Sequence, residues 1–93
     1  MGNTLYFVAE RKESQTVSLR RFKLSRSDAK QIIQIEWCIT NCFDMDEEEV
    51  WNLYYTDNDN NKYLLKEDQD VKAMLMYQTG SKRDPVRLKV ETM

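Results

Sequence analysis

The chain has 93 residues, 41% of them hydrophobic, enough for one domain with one modest core and too few for two. Its formal net charge of −2 gives no electrostatic drive toward nucleic acid or an anionic membrane, and no apolar run in it is long enough to cross a bilayer. It has no histidine, which removes the commonest general base and transition-metal ligand, and its two cysteines cannot make a disulfide framework. The expectation is a cytoplasmic, non-catalytic protein with no cofactor and no small-molecule substrate.

Thr4 to Glu10 is rich in aromatic and β-favouring residues and predicts a strand. A polar turn, Arg11 to Gln15, leads to a second predicted strand over residues 16–24, with Val17 and Leu19 on one face. The short connection predicts an antiparallel hairpin. Ser25 and Ser27 are candidate N-caps, with Asp28 in the first turn. Ala29, Ile32, Ile33 and Trp37 then recur at helical spacing, and Ile35, Cys38, Ile39 and Cys42 widen the apolar surface, so one helix is predicted over 27–41.

After an acidic loop from Asp44 to Glu49, Val50 to Thr56 predicts a third strand with Trp51, Leu53 and Tyr55 on one face. Asp57 to Asn61 is turn chemistry, and Tyr63 to Leu65 a short fourth strand. Asp68 is a candidate cap for a second helix through Val71, Met74, Leu75 and Gln78, ending near Gly80. Beyond Pro85, Val86, Leu88 and Val90 alternate with Arg87, Lys89 and Glu91 as a last strand. The order is ββαββαβ. One mixed five-stranded sheet with two helices on one face satisfies it, an α+β fold of the ubiquitin-like β-grasp type. Residues 1–93 read as a single domain with almost no tail, as if cut from a longer protein.

Charge is segregated along this order. Lys and Arg concentrate at residues 11–30 and 82–89, and acids dominate residues 44–70. Within the acidic stretch, Asp57-Asn58-Asp59 ends one strand and Asp68-Gln69-Asp70 opens a helix, which predicts two acid pairs brought together by folding. Such a cluster repels itself unless a cation or a basic surface meets it. Asp57, Asp59, Asn61 and Asp68 fall at positions one, three, five and twelve of a calcium loop, but Lys62 holds the glycine position and a strand precedes the loop where a helix should.

Tyr55-Thr56-Asp57-Asn58-Asp59, with Asp68-Gln69-Asp70 before an apolar helix, resembles the acidic OPCA motif of the Phox-and-Bem-one (PB-one) domain. Leu19-Arg20-Arg21-Phe22 resembles the basic strand of family members such as the sequestosome-type autophagy receptors, and the resemblance covers essentially the whole chain. It implies a protein–protein interaction module that associates front to back, acidic face on basic face, with another PB-one-type domain as a hetero- or homo-dimer, in a scaffold, adaptor or signalling protein. Carried over by position, it implies an acidic face of Asp57, Asp59, Asp68 and Asp70 and a basic face of Arg20 and Arg21, with Lys23 as an accessory. The family's usual lysine on the first strand is replaced by Tyr6, and Asn58, Asn60, Asn61 and Gln69 stand where acids or glycine are common. A calcium-binding loop and a ubiquitin-like domain binding a small GTPase through the second strand remain the alternatives.

Other clusters have plainer readings. Arg20 and Arg21 are adjacent on a strand and point to opposite faces, so a partner meets one of them directly. Cys38 and Cys42 share a helix face with no histidine to complete a metal site, and read as free thiols in a small core. Trp37, Trp51, Tyr54, Tyr55 and Phe22 read as packing rather than a base-stacking platform in an acidic protein.

Overall fold

A computed structural model describes residues 4–78 and 85–92. Its elements are β1 (Thr4–Glu13), β2 (Thr16–Ser25), α1 (Arg26–Ala29), α2 (Ile32–Cys42), β3 (Trp51–Thr56), β4 (Lys62–Leu65), α3 (Asp68–Gln78) and β5 (Val86–Thr92). The five strands form one sheet in the order β2-β1-β5-β3-β4. β1 and β5 run parallel at its centre, and every other neighbouring pair is antiparallel. The expected β-grasp sheet is therefore present, with β2 and β4 as its two edges.

Strand alternation sorts the side chains. Phe7 and Ala9 on β1, Leu53 and Tyr55 on β3, Leu65 on β4 and Val86, Leu88 and Val90 on β5 are buried, together with Ala29, Ile35, Ile39, Val71 and Met74 from the helices. Register places Phe7 opposite Phe22, and their rings stack at 4.9 Å. Consequently Phe22 and Leu24, not Val17 and Leu19, are the residues of β2 that pack on the core. The intervening residues of each strand form an open sheet face, to which Tyr6, Val17 and Leu19 contribute exposed apolar surface. Alternation had put Val17 and Leu19 on one face correctly but could not say that the face was the open one.

The single helix expected over 27–41 is broken into two. Ser25 caps the first segment, its hydroxyl accepting from the Asp28 N–H at 3.2 Å. Gln31 takes extended backbone angles and starts the second. The break rotates the apolar stripe: Ile35 and Ile39 point inward, while Ile33 and Trp37 are 66% and 65% exposed. At the far end Asp44 adopts a left-handed φ of 51° and Met45 N–H reaches back to the Thr40 carbonyl at 2.9 Å, closing the last turn.

Gln31 supplies no side-chain cap for α2. Asp68, 36 residues away, does so instead: its Oδ1 accepts the Ile32 N–H at 2.8 Å. The start of α3 is closed differently from expectation, with the Glu67 carbonyl accepting from Asp70 and Val71, and Asp70 Oδ2 accepting from the N–H groups of Lys66 and Glu67, both at 3.0 Å. Asp70 thus makes the backward half of a capping box, and Asp68 leaves its own helix to hold another. Asp68→Ala should cost about 1 kcal/mol in urea unfolding, the usual cost of losing a helix cap, and should loosen amide protection at Ile32 while leaving that of α3 in place. The expected end of α3 near Gly80 lies outside the described residues.

Candidate functional site

The acidic site is built on the β3–β4 turn. Asn60 N–H donates to the Asp57 carbonyl at 3.1 Å, and Asp57 N–H to the Asn61 carbonyl at 3.2 Å. Asn60 has φ of 64°, a left-handed angle that asparagine tolerates where glycine would otherwise stand. The Asp57 carboxylate fills this turn from inside. Its Oδ1 accepts the N–H groups of Asp59 and Asn61, both at 2.9 Å, and its Oδ2 accepts Asn61 Nδ2 at 3.2 Å and the Tyr63 hydroxyl at 3.1 Å. Asp57 is only 6% exposed. Donation from the Asn61 backbone holds its carboxyl below the usual carboxylate range, against a smaller desolvation effect and with help from the Asn61 amide, the Asp59 N–H and Tyr63. The hydrogen bond to Asp57 in turn raises the Tyr63 phenol.

The four predicted acids therefore have unlike roles. Asp57 organises the turn. Asp68 faces solvent yet spends one oxygen on the α2 N-terminus. Asp70 is half-buried, and the Lys66 and then the Glu67 N–H groups lower its carboxyl from the ordinary value. Asp59 is exposed, and its carboxylate has no hydrogen bond or ion pair among the described residues. Tyr63 joins the two acid segments: it binds Asp57 and lines the same groove between β4 and α3 as Asp70.

The donor geometry does not favour the calcium-loop reading. Among the described residues no group of three or more acids or cysteines is placed to hold a metal ion. Asp57, the first ligand of such a loop, already accepts four hydrogen bonds from its own turn. Lys62 swings to the open sheet face, where it pairs with Glu91 at 2.6 Å and covers the Tyr54 ring at 4.7 Å.

The basic residues are divided by strand parity. Arg20 lies on the helix side of β2, where Nε donates to the Cys42 carbonyl at 3.2 Å and the guanidinium lies 5.7 Å from the Phe43 ring centroid. It thereby caps the C-terminus of α2, as Asp68 caps its N-terminus, and each charge has the sign that the helix dipole favours. Arg21 and Lys23 occupy the open face, opposite Val8 and Tyr6 of β1. Sequence reasoning missed Arg87, which register places on the other side of Val8. Arg21, Lys23 and Arg87 are exposed, and among the described residues their side chains have no ionic partner, whereas Lys89 and Lys62 are matched by Glu10 and Glu91. The signal for Arg87 was its alternation with the buried Val86 and Leu88; only the parallel pairing of β1 with β5 turns that alternation into proximity.

Both cysteines are free thiols of intermediate burial. Burial raises the Cys38 thiol, as do Cys42 and Asp28 beside it. Arg11, on the helix side of β1, is buried and pairs with Glu49 at 2.7 Å and with Glu13 at 3.5 Å, which ties the acidic loop after α2 to the sheet.

No family model matches the sequence, and no curated protein matches it. Solved structures do. The AtNBR1-PB1 domain superposes with a TM-score of 0.60 at 16% identity, covering 96% of this chain and 99% of that one. A cryo-EM structure of the AtNBR1-PB1 filament (L-type) superposes with a TM-score of 0.65 at 19% identity, covering 98% and 99%. The fold is thus the ubiquitin-like β-grasp, and within that class it is the fold of PB1 domains. No helix among the described residues is long and apolar enough to cross a membrane.

Proposed function

We propose that this domain is a protein–protein interaction module that associates head to tail, the acidic β3–β4 turn and α3 start of one molecule meeting the cationic open face of β2, β1 and β5 on another domain of the same fold. The observation that carries this reading is that uncompensated charges of opposite sign stand at the two edges of one sheet. Asp59 stands at the β4 edge, and Arg21 and Lys23 stand on the β2 edge strand, each without an internal ion pair among the described residues. Four strand spacings separate the edges, about 19 Å, so one molecule cannot join its own two ends. A contact between unlike ends does not close on itself and extends into chains. The neighbouring AtNBR1-PB1 structure is a filament, which accords with this geometry. The cationic end comprises Arg21 and Lys23, with Arg87 on the central strand β5 extending the positive charge across the open face, and the acidic end is led by Asp59 with Asp68 and Asp70. Catalysis and cofactors have no part in the reading, and its setting is a scaffold or adaptor in the cytoplasm.

Light scattering against concentration tests it. The wild type should grow in size with concentration and associate more weakly as salt rises from about 0.05 to 0.5 M, because exposed charges are screened over that range. Asp59→Lys and Arg21→Glu should each be monomeric, and their equimolar mixture should form a heterodimer and stop there. Monomers in the wild type and in the mixture alike would overturn self-association. Size unaffected by either charge reversal would overturn the electrostatic contact itself.

A further inference from the structure

The groove beside the acidic turn is apolar on most of its wall. Tyr55, Tyr63 and Leu65 form one side and Ala73, Met74 and Tyr77 the other, around a volume of about 550 Å³, with Asp70 among its lining residues. Such a volume lies in the range of about 300–1,000 Å³ typical of clefts that enclose small organic groups. Ala73 leaves the helix wall low, and Tyr77 is 68% exposed on the rim. Lys62 also borders the groove, but its ammonium is paired with Glu91. The local field is therefore negative, from Asp70 and from Asp59, whose charge is felt at Tyr63.

At the other end of the sheet one aromatic ring stands out of the cationic surface. Tyr6 is 62% exposed on β1. Register puts it directly opposite Lys23, and it lies diagonal to Arg21 across the same strand pair. Opposed side chains in such a pair stand about 5 Å apart and diagonal ones about 7–8 Å, so the ring and the two cations form one patch. An amphipathic ring between two cations matches an aromatic groove beside two carboxylates in both shape and sign.

We propose that Tyr6 of one molecule seats in the Tyr63–Ala73–Tyr77 groove of a second copy of this chain, and that this apolar contact, alongside the ion pairs, sets affinity and partner choice. The proposal rests on the head-to-tail reading above. Lys23 and Arg21 then lie over Asp70 and Asp59 while the ring displaces water from the groove. Aromatic anchors in such pockets are the usual energetic centres of small interfaces, with charges at their margins. Unlike the ion pairs, the ring contact survives screening.

The test uses two one-ended proteins. Arg21→Glu/Lys23→Glu keeps the acidic turn and groove, and Asp59→Lys keeps Tyr6 and the cations. Their mutual Kd is measured by calorimetry at low and high salt. Tyr6→Ala on the Asp59→Lys partner should weaken binding at least tenfold at both salts, and Tyr77→Ala on the other partner should do likewise. Tyr6→Phe should bind within threefold of the parent. The same Tyr6→Ala placed on the Arg21→Glu/Lys23→Glu partner, whose Tyr6 side is idle, should change nothing, which separates contact from folding. A Kd within twofold for both alanine variants on their working sides would overturn the groove contact and leave the electrostatic reading standing. No association between the parent pair would overturn both.

Discussion

Asp57→Ala is expected to lower the melting temperature by roughly 10 °C, the largest stability effect of any single acidic residue in the chain. The carboxylate is enclosed by its own turn and accepts two backbone N–H groups, a side-chain amide and a phenol. Deleting it leaves Asp59 and Asn61 N–H groups without their acceptor at a turn where Asn60 already holds a left-handed angle. Both bonds are part-buried, so losing their shared acceptor costs more than losing a fully solvated bond would. Asp57→Asn should fall between, since one oxygen remains. The sign of the pH dependence follows from the direction of the shift. The folded-state carboxyl titrates below its unfolded value, which is about 3.9, so its stabilisation is complete above that pH and is lost as the pH falls through the folded value. Asp70 is shifted the same way. Thermal melts followed by circular dichroism between pH 6 and pH 2.5 should therefore fall less steeply for Asp57→Asn than for the wild type, with a residual slope from Asp70. An Asp57→Ala protein melting within about 2 °C of the wild type would show that the turn holds without the carboxylate.

Charge reversal at Asp57 confounds loss of binding with loss of the turn. Asp59, two residues on and facing solvent, reports on binding alone.

The succession of five strands along the chain, the hairpin, the β3–β4 turn and the acid-rich helix start were legible in the sequence because each depends on local alternation or turn chemistry. The β-grasp followed from element order. Three things were not legible, and each depends on a long-range contact. The break between α1 and α2 has no proline or glycine to mark it, and the cap that opens α2 comes from Asp68, 36 residues away. The open side of β2 is known only once Phe22 is seen to stack on Phe7. The division of the seven predicted interface residues into three kinds is also tertiary. Asp57 builds a turn, and Asp68 and Arg20 hold the two ends of α2. Asp59, Arg21 and Lys23 remain uncommitted among the described residues, and Asp70 caps α3 while bordering the groove. A sequence motif records which residue types recur together, and both a structural clamp and a partner contact use the same charges.

Arg20 and Arg21 offer the sharpest separation of those two uses. Arg21→Glu should weaken head-to-tail association at least a hundredfold, since coupling energies of close charge pairs run roughly 1.5–7 kcal/mol and the reversal replaces attraction by repulsion. Its melting temperature should stay near that of the wild type, because among the described residues the side chain touches no internal ionic or hydrogen-bonding group. Arg20→Glu should do the reverse. It removes the donor to the Cys42 carbonyl and puts a negative charge against the negative end of α2. A loss of about 1 kcal/mol in urea unfolding is expected from the dipole and the lost cap together, with amide protection falling in the last turn of α2 and association changed by less than about fivefold. The two variants share composition, net charge and sequence neighbourhood and differ only in the face of β2 they occupy. If Arg20→Glu instead abolishes association and leaves the unfolding midpoint untouched, the Arg20 guanidinium leaves Cys42 to meet the partner, and α2 is held by Phe43 and the core alone.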